Sequence, residues 1–544
     1  MKRDFSRLKG ETFDLIVVGG GIVGTGIARD AVLRGLHTLL VEKEDFAYGT
    51  TSRSTRLIHG GLRYLRTLQF KLVRQDLQER EILLKIAPHL VHRIQFVIPL
   101  LQNEPYYRLT LPFGLYLYNI LSMGKSLPRR RRFSRQETLE LEPGLAEIGG
   151  LLGSYLYYDC QAEFMDRLCL ENALSAAANS ACILNHTEAT NLLTKDSGVY
   201  GIRMKDTLTG KYFVAKGRMV VNASGHWADT VWDKFNIKYP NRLRKTKGIH
   251  LFTKKVSNNA LVLFAKSDGR LFFVIPWGDY SMIGTTDTDY SGDLDNIYAS
   301  ASDVNYLVSE TRHYFPGFKQ DDIYYAIAGL RPLVASGKKA ASDTSRAHKL
   351  VDHEFKDGLK GFITVLGGKI TAYRAIAEEV LDVVCEKFGL PAACVTASTP
   401  LLGAPIVLNR DMEQAGQEND LPMETVAHLA ALYGSRFSSI LDYSRKDRRL
   451  GQPISASSRD ILAQIKHAVE EEEALTLNDF LLRRTNIGLG LSQGLDAVET
   501  VAREMGLLLG WSNAEQQNQI ESYRNFAALG QRFRVEASNH SLSH

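Results

Sequence analysis

Phe13-Asp14-Leu15-Ile16-Val17-Val18, then Gly19-Gly20-Gly21-Ile22-Val23-Gly24, then Thr25 to Arg34, then Leu36 to Glu42: this stretch spells strand, turn, helix, strand. Each part answers one task, holding the pyrophosphate of a dinucleotide. Gly19 permits the tight turn out of a buried strand, Gly21 lets backbone approach phosphate, and Gly24 lets the helix pack close to the sheet. The helix start supplies N–H groups and a partial positive charge. Glu42 ends the second strand, where a carboxylate can accept hydrogen bonds from an adenosine ribose. A lone glycine fingerprint is weak evidence; strand, helix and acid at the right spacing together make it specific.

A chain of 544 residues is too long for one core, so two or three domains are expected. The apolar fraction of 44% and charged fraction of 23% are those of an ordinary globular protein. A formal charge of +5 is small for this length and gives no reason to expect nucleic acid as a partner. Five scattered cysteines without a CxxC read as reduced thiols in a cytosol-facing protein. Met1 to Glu11 is charged and lacks the apolar run of a signal peptide. The nearest candidate span, Leu109 to Met123, is too short and holds Pro112 and Gly114, so no integral membrane protein is expected.

Beyond the opening unit comes a Ser/Thr-rich turn, Thr50-Thr51-Ser52-Arg53-Ser54-Thr55, then Leu57 to Tyr64. Residues 69 to 87 carry helical periodicity and read as a surface helix closed by Pro88, and 91 to 101 as a β-type run. Residues 163 to 178 read as a helix, 182–204 and 211–216 as alternating strands, and Met219 to Gly225 as a buried strand ending in small residues. Residues 249 to 286 are strand-like, and helices with polar connections take over from about 400. The implied fold is α/β locally and α+β overall. A Rossmann-like dinucleotide domain is built from 1–90, 150–230 and 325–398, interrupted by a mainly antiparallel β substrate domain at 91–149 and 231–324. A helical domain spans 399–525. The Ser/His/Asn-rich tail, 526–544, is expected to be disordered.

Several loops carry chemistry. His59-Gly60-Gly61 with Arg63 and Tyr64 puts donors on a glycine-punctuated loop, against the alternative of a turn with a surface arginine. Gly329-Leu330-Arg331-Pro332 holds an arginine between conformationally fixed neighbours, and arginine grips phosphate and carboxylate in a bidentate manner. Gly367-Gly368-Lys369-Ile370-Thr371 aims donors at an anion but lacks P-loop spacing. Each of these two is equally readable as a structural turn. His250, opening a strand after Gly248, can abstract a hydroxyl proton near neutral pH, although such a histidine is more often structural, as is an isolated His59. The histidines are not spaced as metal ligands, so no metal is expected. Between 105 and 135, an aromatic and apolar segment is flanked by Arg108, Lys125, Arg129, Arg130, Arg131, Arg132 and Arg135. It suits either an anionic membrane surface or core packing beside a solvated basic loop. The acidic run Glu470 to Glu473 reads as a solvated helix face.

Taken in order, the Gly19–Gly24 fingerprint, Ile58 to Tyr64, Phe273-Val274-Ile275-Pro276-Trp277, Ile283-Gly284-Thr285-Thr286-Asp287, Gly329 to Leu333, Gly367 to Thr371 and Asp479 to Thr485 resemble the FAD-dependent glycerol-3-phosphate dehydrogenases. These belong to the D-amino-acid-oxidase-like flavoproteins. The resemblance covers roughly residues 10 to 510, with Ala223-Ser224-Gly225 where the group usually has Ala-Thr-Gly. It implies FAD and oxidation of sn-glycerol 3-phosphate to dihydroxyacetone phosphate. It also implies electrons passed to a membrane quinone, in a cytoplasmic protein attached peripherally to the cytoplasmic membrane; a homodimer is one state open to it. Carried over by position, Arg63, Tyr64, Arg331, Lys369 and Thr371 would hold the substrate. His250 by preference and His59 second would be the acid/base candidates, with Arg331 and Lys369 stabilising charge. Cofactor contacts would come from Gly19, Gly21, Gly24, Glu42, Thr50, Thr51, Ser52, Ser54, His59, Gly60, Ala223, Ser224, Gly225, Gly329, Gly368 and Lys369. Three alternatives remain: an oxygen-using glycerol-3-phosphate oxidase, an amine or amino-acid oxidase with a carboxylate clamp, and a nucleic-acid-binding flavoprotein with salt-dependent affinity.

Overall fold

The structure, a computed structural model of the chain, describes all residues except 125, 240–241, 335–346, 457 and 542–544. Lys125, part of the third nucleotide segment and the last residues of the tail therefore lie outside the described residues.

Among the described residues the strands form two sheets, of eight and ten strands. The first has the order Lys349–Asp352, Phe362–Leu366, Tyr212–Asn222, Thr12–Val18, Thr38–Val41, Cys182–Leu184. Its central pairings are parallel. Parallel strands buried on both faces need apolar residues on both, which is why Leu15-Ile16-Val17-Val18 runs without alternation. Leu15 and Val17 join a core with the helices Ile22–Leu33, Met165–Ala178 and Tyr373–Phe388, while Ile16 and Val18 pack on the opposite side with Ile202 and Trp232.

The second sheet is antiparallel except where Ala260–Phe264 runs parallel to His92–Leu101. Its long pair is Leu243–Lys254 against Ile323–Val334. The fold class therefore matches the expectation. The segment boundaries expected at 150 and 325 do not coincide with the sheets, because Leu151–Gln161 and Ile323–Val334 both hydrogen-bond within the second sheet. Helices from Asn409 onward form the C-terminal block.

Three expectations are corrected. The acidic run Glu470 to Glu473 is not a solvated face, since Glu472 and Glu473 are buried and Glu472 pairs with Arg167 at 2.6 Å. The tail continues as helices Asn513–Leu529 and Arg532–Ser541 rather than as disordered chain. Phe533 is buried in the second sheet's core, and the Glu536 carboxylate accepts from the Ala301 N–H, so a polar composition hid real anchors. Residues 70 to 86 form a helix, but not a surface one, since Asp76, Glu79 and Arg80 are buried on its inner face. No helix among the described residues is long and apolar enough to cross a membrane.

Candidate active site

The opening unit builds a slot of about 340 Å³ lined by Gly19, Gly21, Glu42, Thr50, Thr51, Ala223, Ser224, Gly225 and Gly368. Gly21 precedes the helix Ile22–Leu33 with no side chain to cap it, and Thr51 accepts from the Ile22 N–H at 3.2 Å. A Cβ on Gly24 would stand 1.8 Å from the Gly19 carbonyl oxygen, so only glycine lets this helix start approach the strand end. Buried Glu42 accepts from Gly20 N–H at 2.6 Å and Glu44 N–H at 3.0 Å, leaving a second lone pair on each oxygen. Slot, helix start and acid fit the pyrophosphate and ribose of a dinucleotide.

The slot shares Thr50, Pro332, Gly368, Lys369 and Ile370 with a second chamber of about 180 Å³. Arg63, Tyr64, His59, His250, Arg331, Lys369 and Thr371 line it, together with Ser54 and Gly329. Register explains part of this gathering. In the antiparallel pair, Gly248 faces Gly329, Thr246 faces Arg331 and His250 faces Ile327. Paired residues share a face, so His250 and Arg331 flank two central glycines on one side of the sheet. A Cβ on Gly248 would lie 2.2 Å from the Arg331 guanidinium, so the missing side chain is what gives that group its place.

The three cations differ in what already holds them. Arg331 donates to Thr285 Oγ1 at 2.7 Å and to Asp287 at 3.2 Å. Lys369 is ion-paired with Asp76 and sits 4.5 Å from the Tyr64 ring centre. Burial pushes the Asp76 carboxyl up to about 6, against the pull of Lys369. Arg63 donates to the Tyr64 hydroxyl at 3.0 Å and has no salt bridge among the described residues. Of the three, Arg63 carries the least compensated charge.

Both imidazoles are kept neutral. Burial, with Arg331 and Arg56 nearby, brings His250 down to about 3. Burial, with Lys369, Arg63 and Arg80, holds His59 well below its ordinary value. Their access differs. The His250 Nε2 lies 2.9 Å from Thr55 Oγ1, and its Nδ1 is buried without a partner. His59 is half-buried against the chamber, its ring edge-on to Phe273, and no hydrogen bond holds its ring nitrogens among the described residues.

Not every expected contact reaches the two cavities. Ser52 turns its hydroxyl to the carbonyls of Tyr48 and Gly49, and Gly60 donates its N–H to the Tyr118 hydroxyl at 3.0 Å. Thr371 lines the chamber, but its hydroxyl is spent on the N–H and carbonyl of His59. The sequence reading missed Asp76, Thr285, Asp287 and Thr55, and the buried chain Arg80–Asp159–Tyr118 that supports Gly60. One signal was available: Val73, Asp76, Leu77 and Arg80 share the apolar stripe of their helix, and an acid on such a stripe needs a buried partner.

A dinucleotide slot opening into a second chamber beside its far end is the arrangement of a dinucleotide-dependent oxidoreductase. Residues 14–374 match the family model described as FAD dependent oxidoreductase, and 394–516 match that of the C-terminal domain of alpha-glycerophosphate oxidase. A glycerol-3-phosphate dehydrogenase of Synechocystis sp. is 38% identical, over 96% of this chain and 98% of its own. Glycerol-3-phosphate dehydrogenase 2 of Mycobacterium tuberculosis is 35% identical, over 95% and 88%. The crystal structure of the glycerol-3-phosphate dehydrogenase from Bacillus halodurans complexed with FAD superposes with a TM-score of 0.78, at 28% identity and 96% coverage of both chains. The chain belongs to the family of FAD-dependent glycerol-3-phosphate dehydrogenases, and its cofactor is FAD.

Proposed function

We propose that this protein oxidises sn-glycerol 3-phosphate to dihydroxyacetone phosphate and passes the electrons to a membrane quinone. The observation that carries the reading is that Arg63, Arg331 and Lys369, from three separate parts of the chain, line one chamber that shares Thr50, Pro332, Gly368, Lys369 and Ile370 with the cofactor slot. FAD, when bound, supplies N5 as the acceptor of the C2 hydride. Gly19, Gly21, Glu42, Thr50, Thr51 and Ala223 to Gly225 hold its dinucleotide part, and Gly329, Gly368 and Lys369 border its ring end. Arg63 takes the substrate phosphate as a bidentate donor, flanked by Tyr64. Arg331 and Lys369, kept in place by Asp287 and Asp76, stabilise negative charge as it develops on O2. An imidazole accepts the C2 hydroxyl proton. Sequence alone put His250 first; access reverses the order, since His250 is engaged by Thr55 while His59 is open to the chamber. His250 then serves to position Thr55. The units proposed for this work are the FAD-binding segments 1–90, 150–230 and 325–398, less the strands Leu151–Gln161 and Ile323–Val334 that belong to the second sheet, the cap 91–149 and 231–324, and the helical block 399–525.

Adding sn-glycerol 3-phosphate to the purified yellow protein without oxygen should bleach the flavin band within one turnover. Colour that persists, with glycine or sarcosine bleaching instead, would transfer the protein to the amine oxidases. The C-terminal family model is described from an oxidase, so the acceptor needs its own assay. Rapid turnover with a short-chain quinone and little hydrogen peroxide in air is expected; the reverse ratio makes it an oxidase.

Attachment to the membrane is supported by the helix Pro105–Leu121. Leu111, Leu115 and Tyr118 are buried on one side, while Tyr106, Leu109, Phe113, Tyr116 and Ile120 form an exposed stripe, with Leu109 80% and Phe113 71% exposed. Arg108, on this helix, and Arg129, Arg131, Arg132 and Arg135, which follow it in the chain, are exposed. An apolar stripe with arginines nearby in sequence suits the interface of an anionic bilayer. Replacing Leu109 and Phe113 together by serine should weaken co-sedimentation with vesicles of phosphatidylcholine and phosphatidylglycerol at least about tenfold, since each exposed side chain adds on the order of 1.5–3 kcal/mol when buried. Turnover with a soluble acceptor should not change.

A further inference from the structure

Beside the loop 48–56 lies a cavity of about 80 Å³ walled by that loop, by Tyr325 to Ala328 of the second sheet and by the C-terminal block. Three guanidinium groups line it: Arg53, Arg56 and Arg483. Arg56 is answered by Asp166 at 2.9 Å. The other two are answered only at a distance. Arg53 has no salt bridge among the described residues, and its guanidinium stands 5.4 Å from the Tyr48 ring centre. Arg483 stands 5.5 Å from the same ring, so the two cations share one aromatic face region while repelling each other.

Arg483 is 93% buried and its Nε has no hydrogen-bond partner. Its one firm bond is to the Asn478 carbonyl at 2.9 Å. Asp45 and Asp479 approach it only at 4.0 Å, and both are committed elsewhere: Asp45 takes two bonds from Arg484, and Asp479 pairs with His186 at 2.9 Å. Asp295 is likewise paired, with Lys43. Glu44 acts on Arg483 only through space, with no side-chain hydrogen bond among the described residues. A buried guanidinium whose carboxylates stand no closer than 4.0 Å keeps donors free for a nearer acceptor, and a small anion supplies one. At about 10–15 Å³ per water, the cavity takes a handful of waters or one tetrahedral oxyanion of five heavy atoms.

We propose that this cavity is a second oxyanion site, taking inorganic phosphate or sulfate between Arg53 and Arg483 and so tying the C-terminal block to the loop that also borders the catalytic chamber. Arg53 lines both spaces, and Ser52 lines this one.

The test is equilibrium dialysis of radiolabelled inorganic phosphate against the flavin-loaded enzyme carrying Arg63→Met and Arg331→Ala, which removes the phosphate grip of the catalytic chamber. One phosphate per chain is expected, displaced by sulfate. Adding Arg53→Met should weaken that binding at least tenfold. If this variant does not retain flavin, Arg53→Gln, which keeps length without charge, or Arg483→Met makes the same comparison. No phosphate bound in the starting double variant, or binding indifferent to the loss of Arg53 and of Arg483, overturns the site.

Discussion

Replacing Arg63 by methionine is expected to lower kcat/KM for sn-glycerol 3-phosphate by about three orders of magnitude, roughly 4 kcal/mol of lost binding in the transition state. Arg331 and Lys369 enter the chamber with Asp287 and Asp76 at their sides, so each offers a dianion only part of its charge. Arg63 donates to a neutral hydroxyl and has no salt bridge among the described residues, Asp287 acting on it only through space. A cation whose counter-charge stands off gains most when a phosphate arrives, and leaves that phosphate poorly paired when it is removed. Methionine keeps the unbranched stem, so the loss reports charge more than packing. Arg331→Ala should cost less, about tenfold to a hundredfold. Steady-state kinetics on flavin-replete protein checks both. An Arg63→Met enzyme within about tenfold of the parent would put the phosphate elsewhere in the chamber.

The second large effect is expected at His59. His59→Gln should lower kcat by about 10²–10⁴ while leaving flavin content unchanged, the range spanned by loss of a general base. His250→Gln should lose less than about tenfold, because glutamine can still hold the Thr55 hydroxyl. Both rings are neutral in the resting protein, so protonation state does not separate them. Access does: accepting a proton at His250 Nε2 first requires breaking its 2.9 Å contact with Thr55, and Nδ1 is enclosed. The single-turnover rate of flavin bleaching is the measurement, since it isolates the step in which the proton leaves. A collapse of that rate in His250→Gln, with His59→Gln near normal, would exchange the two roles.

The support of His59 lies in residues that are silent in a linear reading. Thr371, expected to touch substrate, instead holds the His59 main chain from both sides, and Gly60 hangs on Tyr118, whose hydroxyl donates to Asp159 at 2.7 Å. Tyr118 lies on the same helix that exposes Leu109 and Phe113. The loop bearing His59 is thus propped by the back of the helix Pro105–Leu121.

The amino-acid sequence by itself determined the dinucleotide unit, because its strand, glycine turn, helix and acid interact within thirty residues and each leaves a local pattern. It determined the antiparallel character of the second sheet through alternation, and named Arg63, Arg331 and Lys369 through their glycine-flanked loops. Only the tertiary structure decided which of those charges is already neutralised, because Asp76 lies 293 residues from Lys369 and Asp287 is 44 from Arg331. It decided which histidine is open, since Thr55 meets His250 across 195 residues, and it turned a polar tail into an anchored helix through Phe533. Periodicity records what a segment buries; it carries no record of which distant charge or hydroxyl will be buried against it.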